Sequence, residues 1–159
     1  MQSQFYVIKE NRKLFMRMME GLTIEQLNEI PTGFNNNIAW NFGHMVVSFQ
    51  MIVNMRAGKE LKIDKEYITK YQRGSKPETF IGWEEIDFLK SEAIRLIEEL
   101  EQEWNKAEFT SYQSFTTSLG VPINTCEDAV HYAATHDMLH IGYSWALKRL
   151  VLNKSLVAQ

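Results

Sequence analysis

One cysteine, Cys126, stands alone in a chain of 159 residues, which rules out an intrachain disulfide and fits a reducing compartment. Only three prolines and eight glycines occur. They fall mostly between segments of helical periodicity, which favours an all-α protein. No run of 18 apolar residues exists, so no membrane span is expected. The first residues, Met1 to Tyr6, lack the basic start and apolar run of a secretory signal. Cytoplasmic is therefore the expected location. Clusters of Lys and Arg are also missing, and the net charge of −3 argues against nucleic acid or anionic membranes as partners. Internal repeats and low-complexity segments are absent as well. What remains is 45% hydrophobic and 23% charged, ordinary for a soluble globular protein, and long enough for one domain over residues 1–159.

Four long helical patterns carry the chain. The first runs from Gln4 to Glu20, with Phe5, Ile8, Phe15 and Met19 on one side and Gly21 as its stop. A short turn capped by Thr23 follows. The second runs from Asn37 to Ala57, capped from within Asn35-Asn36-Asn37 and ended by Gly58. It is apolar nearly all round, which marks it as central. The third spans Trp83 to Trp104, with a solvated face rich in glutamate. The fourth begins after Thr125, with Glu127 and Asp128 suiting its N-terminal dipole, and continues to Leu152. Between the second and third, Gly58 to Gly82 reads as polar and irregular, long enough to cross a bundle and long enough to carry function. The loop Asn105 to Asn124 has the makings of a short extended stretch.

Chemistry concentrates on histidine. His136 and His140 are four apart on the fourth helix, offset by about 40° and about 6 Å, so both rings project from one face and can share a metal. A divalent ion normally takes at least three protein ligands. His44, on an apolar stripe of the central helix, is the candidate third, since a lone polar ring there would cost free energy. Asn41, three residues before His44, reads equally as a residue that orients a ligand or touches substrate and as a structural residue near the helix cap, and Ser48, one turn after His44, is within reach of the same site. His131 sits about 180° from His140 on the helical wheel and is expected to face outward. Asp137 points away from the ligand face, toward solvent or a neighbouring helix. Trp40 and Met51 are expected in the core. Tyr67, Tyr71 and Arg73 are candidates for the pocket mouth. The small residues Ala133, Ala134, Gly142 and Ser144 crowd around the two histidines and suggest space for a ligand. Cys126 lies about 20 Å along the axis and reads as a small buried hydrophobe.

The segments Asn37-Ile38-Ala39-Trp40-Asn41-Phe42-Gly43-His44 and Thr135-His136-Asp137-Met138-Leu139-His140-Ile141-Gly142 resemble the DinB-like superfamily of metal-binding four-helix bundles. The resemblance covers nearly the whole chain in element order and length. It implies that His44, His136 and His140 are the metal ligands, with no departure at any of them. It also implies an up-down-down-up bundle, which the long Gly58 to Gly82 crossover permits. Zinc or nickel is the implied metal, and a homodimer the implied assembly. Better understood relatives include thiol-S-transferases using bacillithiol, isomerases using mycothiol, and a domain of ergothioneine-pathway enzymes.

Three neutral imidazoles leave a dication its full charge and an open coordination position. Such an ion can activate water for hydrolysis or deprotonate a thiol for transfer to an electrophile. No obvious general base accompanies the histidines, which favours a low-molecular-weight thiol as the small-molecule partner. A metal-dependent hydrolase is the alternative. A non-catalytic, ligand-binding or structural dimeric bundle is the third reading.

Overall fold

The computed structural model describes residues 1–106 and 109–157, the last four by backbone only. Among them six α-helices carry the fold: α1 Gln2–Met19, α2 Ile24–Asn28, α3 Ile38–Phe49, α4 Lys65–Tyr71, α5 Trp83–Asn105 and α6 Cys126–Val157. Strand is confined among these residues to one antiparallel hairpin, β1 Phe115–Thr116 with β2 Pro122–Ile123, paired Phe115 to Ile123. That hairpin is the extended stretch expected in the fourth-helix approach. No described helix is long and apolar enough to cross a membrane.

Side-chain caps open three of the helices, α2, α3 and α6. The Thr23 hydroxyl accepts from the Gln26 amide while the Gln26 side chain accepts from the Thr23 amide, a reciprocal box that nucleates the five-residue α2. Of the three asparagines ahead of α3, Asn37 is the cap, its Oδ1 accepting from the Trp40 amide at 2.8 Å. Thr125 and Asp128 exchange the same kind of bonds at the start of α6.

The central helix departs from its expected regularity. All twelve residues of α3 are buried. The chain then widens into a π-helical segment, Gln50–Asn54, and tightens into a 3-10 turn, Met55–Ala57, before Gly58 ends it at φ 70°. A π insertion shifts the register of every following side chain. Met51, Ile52 and Met55 accordingly emerge from the core onto a cavity.

The segment 58–82 is not wholly irregular, because α4 lies inside it. Seven residues with a mostly polar face are too few to show a period, and tertiary bonds hold them. The Trp40 indole donates to the Lys70 carbonyl at 3.2 Å, and the Tyr71 hydroxyl donates to Glu85 at 2.6 Å. α4 is thereby fixed across α3 and the start of α5.

The long helices pack in pairs with readable directions. Phe5 meets Trp104 edge-on and Lys9 pairs with Glu101, so α1 runs antiparallel to α5. Asn11 donates to the Ala134 carbonyl, and Lys148 to that of Met18, so α1 runs parallel to α6. Asn41 faces His140 while His44 faces His136, so α3 runs antiparallel to α6. The core between them includes Phe5, Ile8 and Phe15 of α1, Phe42 and Met45 of α3, and Leu89 of α5.

Candidate metal centre

His44 sits on a buried helix, so protein groups serve most of its ring. Its Nδ1–H donates to the Tyr71 carbonyl oxygen at 2.7 Å, and the Ser48 hydroxyl lies 3.2 Å from its Nε2. The Trp40 ring stacks on it, 4.7 Å between centroids and 12° from parallel. Gly43 makes the first of these bonds possible. A Cβ built at Gly43 would stand 2.5 Å from two carbons of the Tyr71 ring. Only a glycine lets that ring lie flat against α3 and bring its own carbonyl to His44.

From α6, His136 and His140 meet His44 across the interface. Ring centroids are 4.6 Å apart within the α6 pair, and 5.4 and 4.7 Å from His44 to His136 and His140. The three rings offer nitrogens no more than 4.8 Å from one another. His140 Nδ1–H donates to Asn41 Oδ1 at 2.8 Å. The Asn41 amide nitrogen in turn donates to the Asn37 carbonyl and to Asn36, which fixes which end of the amide faces the histidine. Both His44 and His140 thus carry their proton on Nδ1 and aim the Nε2 lone pair inward. His136 has no hydrogen-bond partner among the described residues and tilts against Tyr132.

Burial keeps all three rings neutral. It lowers the pKa of His44, against the opposing bond to Tyr71. It pushes His136 down to about 3, helped by His44 and the charge of Arg12. It pushes His140 down to about 2, helped by its two histidine neighbours. Neutral imidazole is the form that ligates metals. Nitrogens each about 2.1 Å from a tetrahedral ion stand about 3.4 Å apart, so small ring rotations suffice to close the trio on one cation. The donor set fits a divalent transition metal, and the carbonyl and amide behind His44 and His140 are the supports such ligands ordinarily have.

Behind the histidines lies a buried ion pair. Arg12 and Asp137 are both essentially inaccessible, and Arg12 Nε donates to Asp137 Oδ2 at 2.9 Å. A second guanidinium nitrogen donates to the Met45 carbonyl. Of the two fates open to Asp137, contact with a neighbouring helix is the one realised. Burial pushes its carboxyl up to about 6, with Arg12 acting against the rise. Arg12, on the apolar face of α1, was outside the expected site. Its signal in sequence is a lone cation on an apolar stripe.

In front of the histidines opens a cavity of about 400 Å³. Its walls differ from those expected. Met51 faces it rather than the core, with Met55, Phe115 and Leu139. Arg73 lines it as expected, whereas Tyr67 stacks on Phe88 and Tyr71 is wholly buried. The small residues of α6 do not make the space: Ala133 and Ser144 are buried, and Gly142 faces outward with nothing near it. Ser48 lines the cavity, while Asn41 acts from behind. His131 is exposed on the opposite side of α6. Cys126 is buried and its thiol is pushed up to about 11, as befits an inert hydrophobe.

A family model described as the DinB superfamily matches residues 8–144 of the chain. That span includes all three histidines and most of both helices that present them. No curated protein matches the chain.

Proposed function

The chain belongs to the DinB superfamily, and from that premise we propose a single-domain metal-dependent enzyme whose His44, His136 and His140 hold one zinc or nickel ion. The pair directions of α1, α3, α5 and α6 support an up-down-down-up bundle, with the segment 58–82 as its crossover. The reaction we infer is transfer of a low-molecular-weight thiol to an electrophile. The sulfur forms a bond to carbon, the leaving group departs with its electron pair, and the thiol proton goes to solvent.

A divalent ion held by His44, His136 and His140 would keep its full charge and would lower the pKa of a thiol bound there. The protein's part is to hold and shield. Tyr71 and Asn41 fix the orientation and tautomer of His44 and His140. Trp40 covers one face of His44. The apolar wall keeps water scarce around the reacting sulfur.

The observation that carries thiol transfer over hydrolysis is that, among the described residues, no carboxylate lines the cavity wall. Hydrolysis asks for a general base within reach of water, and the wall offers none besides the three histidines themselves. A cytoplasmic homodimer completes the reading. Exposed apolar residues on α1, Tyr6 and Val7, and around the start of α5, Phe80 and Trp83, support self-association. Sedimentation at micromolar concentration tests that part, and a monomer would remove it.

Metal content of purified, untagged protein tests the centre. About one zinc or nickel per chain, lost in His140→Ala, is the expected result. Metal-free protein that also refuses both ions would overturn it. Loaded protein is then offered small thiols with a chromogenic aryl halide, and metal-dependent thioether formation is expected. Ester cleavage without thioether formation would move the assignment to hydrolysis.

A further inference from the structure

The cavity has a charge that thiol activation alone leaves unused. The chain is acidic overall, at −3, and many of its cations are answered: Lys9 by Glu101, Lys70 by Glu85, Arg95 by Glu92 and Glu99. Two arginines at the cavity are not. Arg56 comes from the 3-10 turn after the π segment and is half-buried, while Arg73 comes from the turn after α4 and is exposed. Both line the cavity, and among the described residues neither pairs with a carboxylate. Among the described residues no Asp or Glu lines it either.

Arg56 is held without being neutralised. Its guanidinium lies over the Phe115 ring at 4.6 Å, a contact that orients the plane and leaves its N–H fork free. A cleft of one sign with low-dielectric walls focuses its field on whatever enters. The walls here are low-dielectric: Met51, Ile52, Met55, Leu119 and Leu139. The lining therefore joins an apolar seat, two unpaired guanidinium groups and the histidine cluster in one space.

We propose that this cavity takes an anionic amphiphile, an apolar body bearing a carboxylate or phosphate, with Arg56 and Arg73 as the anion-binding residues. The apolar wall seats the body, and the histidine cluster faces its reactive part. The inference rests on the cavity's being the substrate site of the proposed metal centre, but its anion recognition belongs to the arginines and is separable from the metal. A guanidinium fork matches either anion in bidentate fashion, and the size of the apolar body is bounded by the cavity.

Calorimetric titration tests it with three probes sharing one body: 4-phenylbutanoate, 4-phenylbutyl phosphate and the neutral 4-phenylbutanamide. Each is titrated into zinc-loaded and metal-free protein, wild type and Arg56→Gln/Arg73→Gln. The expected result is that at least one anion binds wild type about tenfold or more tighter than the amide, as a charge-assisted bond implies. The preference persists without zinc and disappears in the double variant, whose amide affinity is unchanged. The tighter of the two anions identifies carboxylate or phosphate as the group read. Equal affinity for anions and amide would overturn the proposal, as would a preference that survives the double variant or the failure of both anions to bind at millimolar concentration. A preference seen only with zinc would also overturn it, because the anion would then sit on the metal. Protein that refuses zinc yet shows the arginine-dependent preference would sink the metal centre and leave the anion site standing.

Discussion

Gly43→Ala is the sharpest probe of how the centre is held. The new methyl would stand 2.5 Å from Cδ1 and Cε1 of Tyr71 and 2.7 Å from Cζ. Carbon atoms sit comfortably about 3.5–4.0 Å apart, so the ring must retreat by about 1 Å. Tyr71 has little freedom to do so. It is fully buried, its hydroxyl is tied to Glu85 at 2.6 Å, and its carbonyl is tied to His44 at 2.7 Å. Forced overpacking costs about 1–3 kcal/mol, while Ala gains about 1 kcal/mol over Gly inside a helix. The net loss of stability is about 0–2 kcal/mol.

Metal affinity should suffer in proportion to the lost support of His44. Removing the outer partner of a ligating histidine typically costs about 10–100-fold. Competition against a chromophoric zinc chelator measures that affinity, and urea denaturation of the metal-free protein measures stability. Gly142→Ala is the matched control. It lies two residues from His140, and its added methyl would meet nothing within 4 Å. It should gain about 1 kcal/mol and bind zinc as wild type does. Should Gly43→Ala also gain about 1 kcal/mol with zinc affinity within about twofold of wild type, the coupling from Gly43 through Tyr71 to His44 is refuted.

Other perturbations reach the remaining supports. Asn41→Leu strips His140 of its Nδ1 acceptor and should weaken zinc by about 10–100-fold; Ser48→Ala, whose hydroxyl contacts the Nε2 side that a metal would take, should leave affinity equal or slightly raised in the same competition assay. Asp137→Asn leaves the buried Arg12 unpaired and should cost about 3–5 kcal/mol in urea, whereas Arg12→Met with Asp137→Leu should recover most of that loss. Acid should destabilise the metal-free protein. His136 and His140 are depressed to about 3 and about 2 in the fold, so the stability they contribute is whole above pH 6.5 and is lost as pH falls through the window toward those values. At pH 5 each costs about 2 kcal/mol. Asp137, raised to about 6, acts with the opposite sign and returns about 1.4 kcal/mol between pH 7 and 5, for a net loss of about 2–3 kcal/mol. Denaturant midpoints that stay flat from pH 7 to 5 would contradict the neutral-histidine centre.

The histidines were legible because each announces itself through a local rule. A spacing of four on one helix aligns His136 with His140, and a polar ring on the all-apolar His44 helix demands a partner. The caps at Asn37 and Thr125 and the stop at Gly58 are equally local. What stayed hidden is pairing across the chain. Arg12 and Asp137 are 125 residues apart, and nothing local to either names the other as its partner. The support for His44 comes from a backbone carbonyl, which has no residue identity to read.

Register shifts were hidden for a different reason. Nothing in the composition of Gln50–Asn54 marks a π insertion, yet it moves Met51 from an expected core position onto the cavity wall. The two glycines near the histidines make the point most directly. Gly43 precedes His44 and Gly142 follows His140 by two residues, and Gly142 reads in sequence as a small residue leaving room for a ligand. In the fold neither lines the cavity. Gly142 faces open space, and the room at Gly43 is already filled by the Tyr71 ring. The absence of a side chain at Gly43 therefore serves a second helix rather than a substrate, and it does so to deliver one carbonyl oxygen to one imidazole.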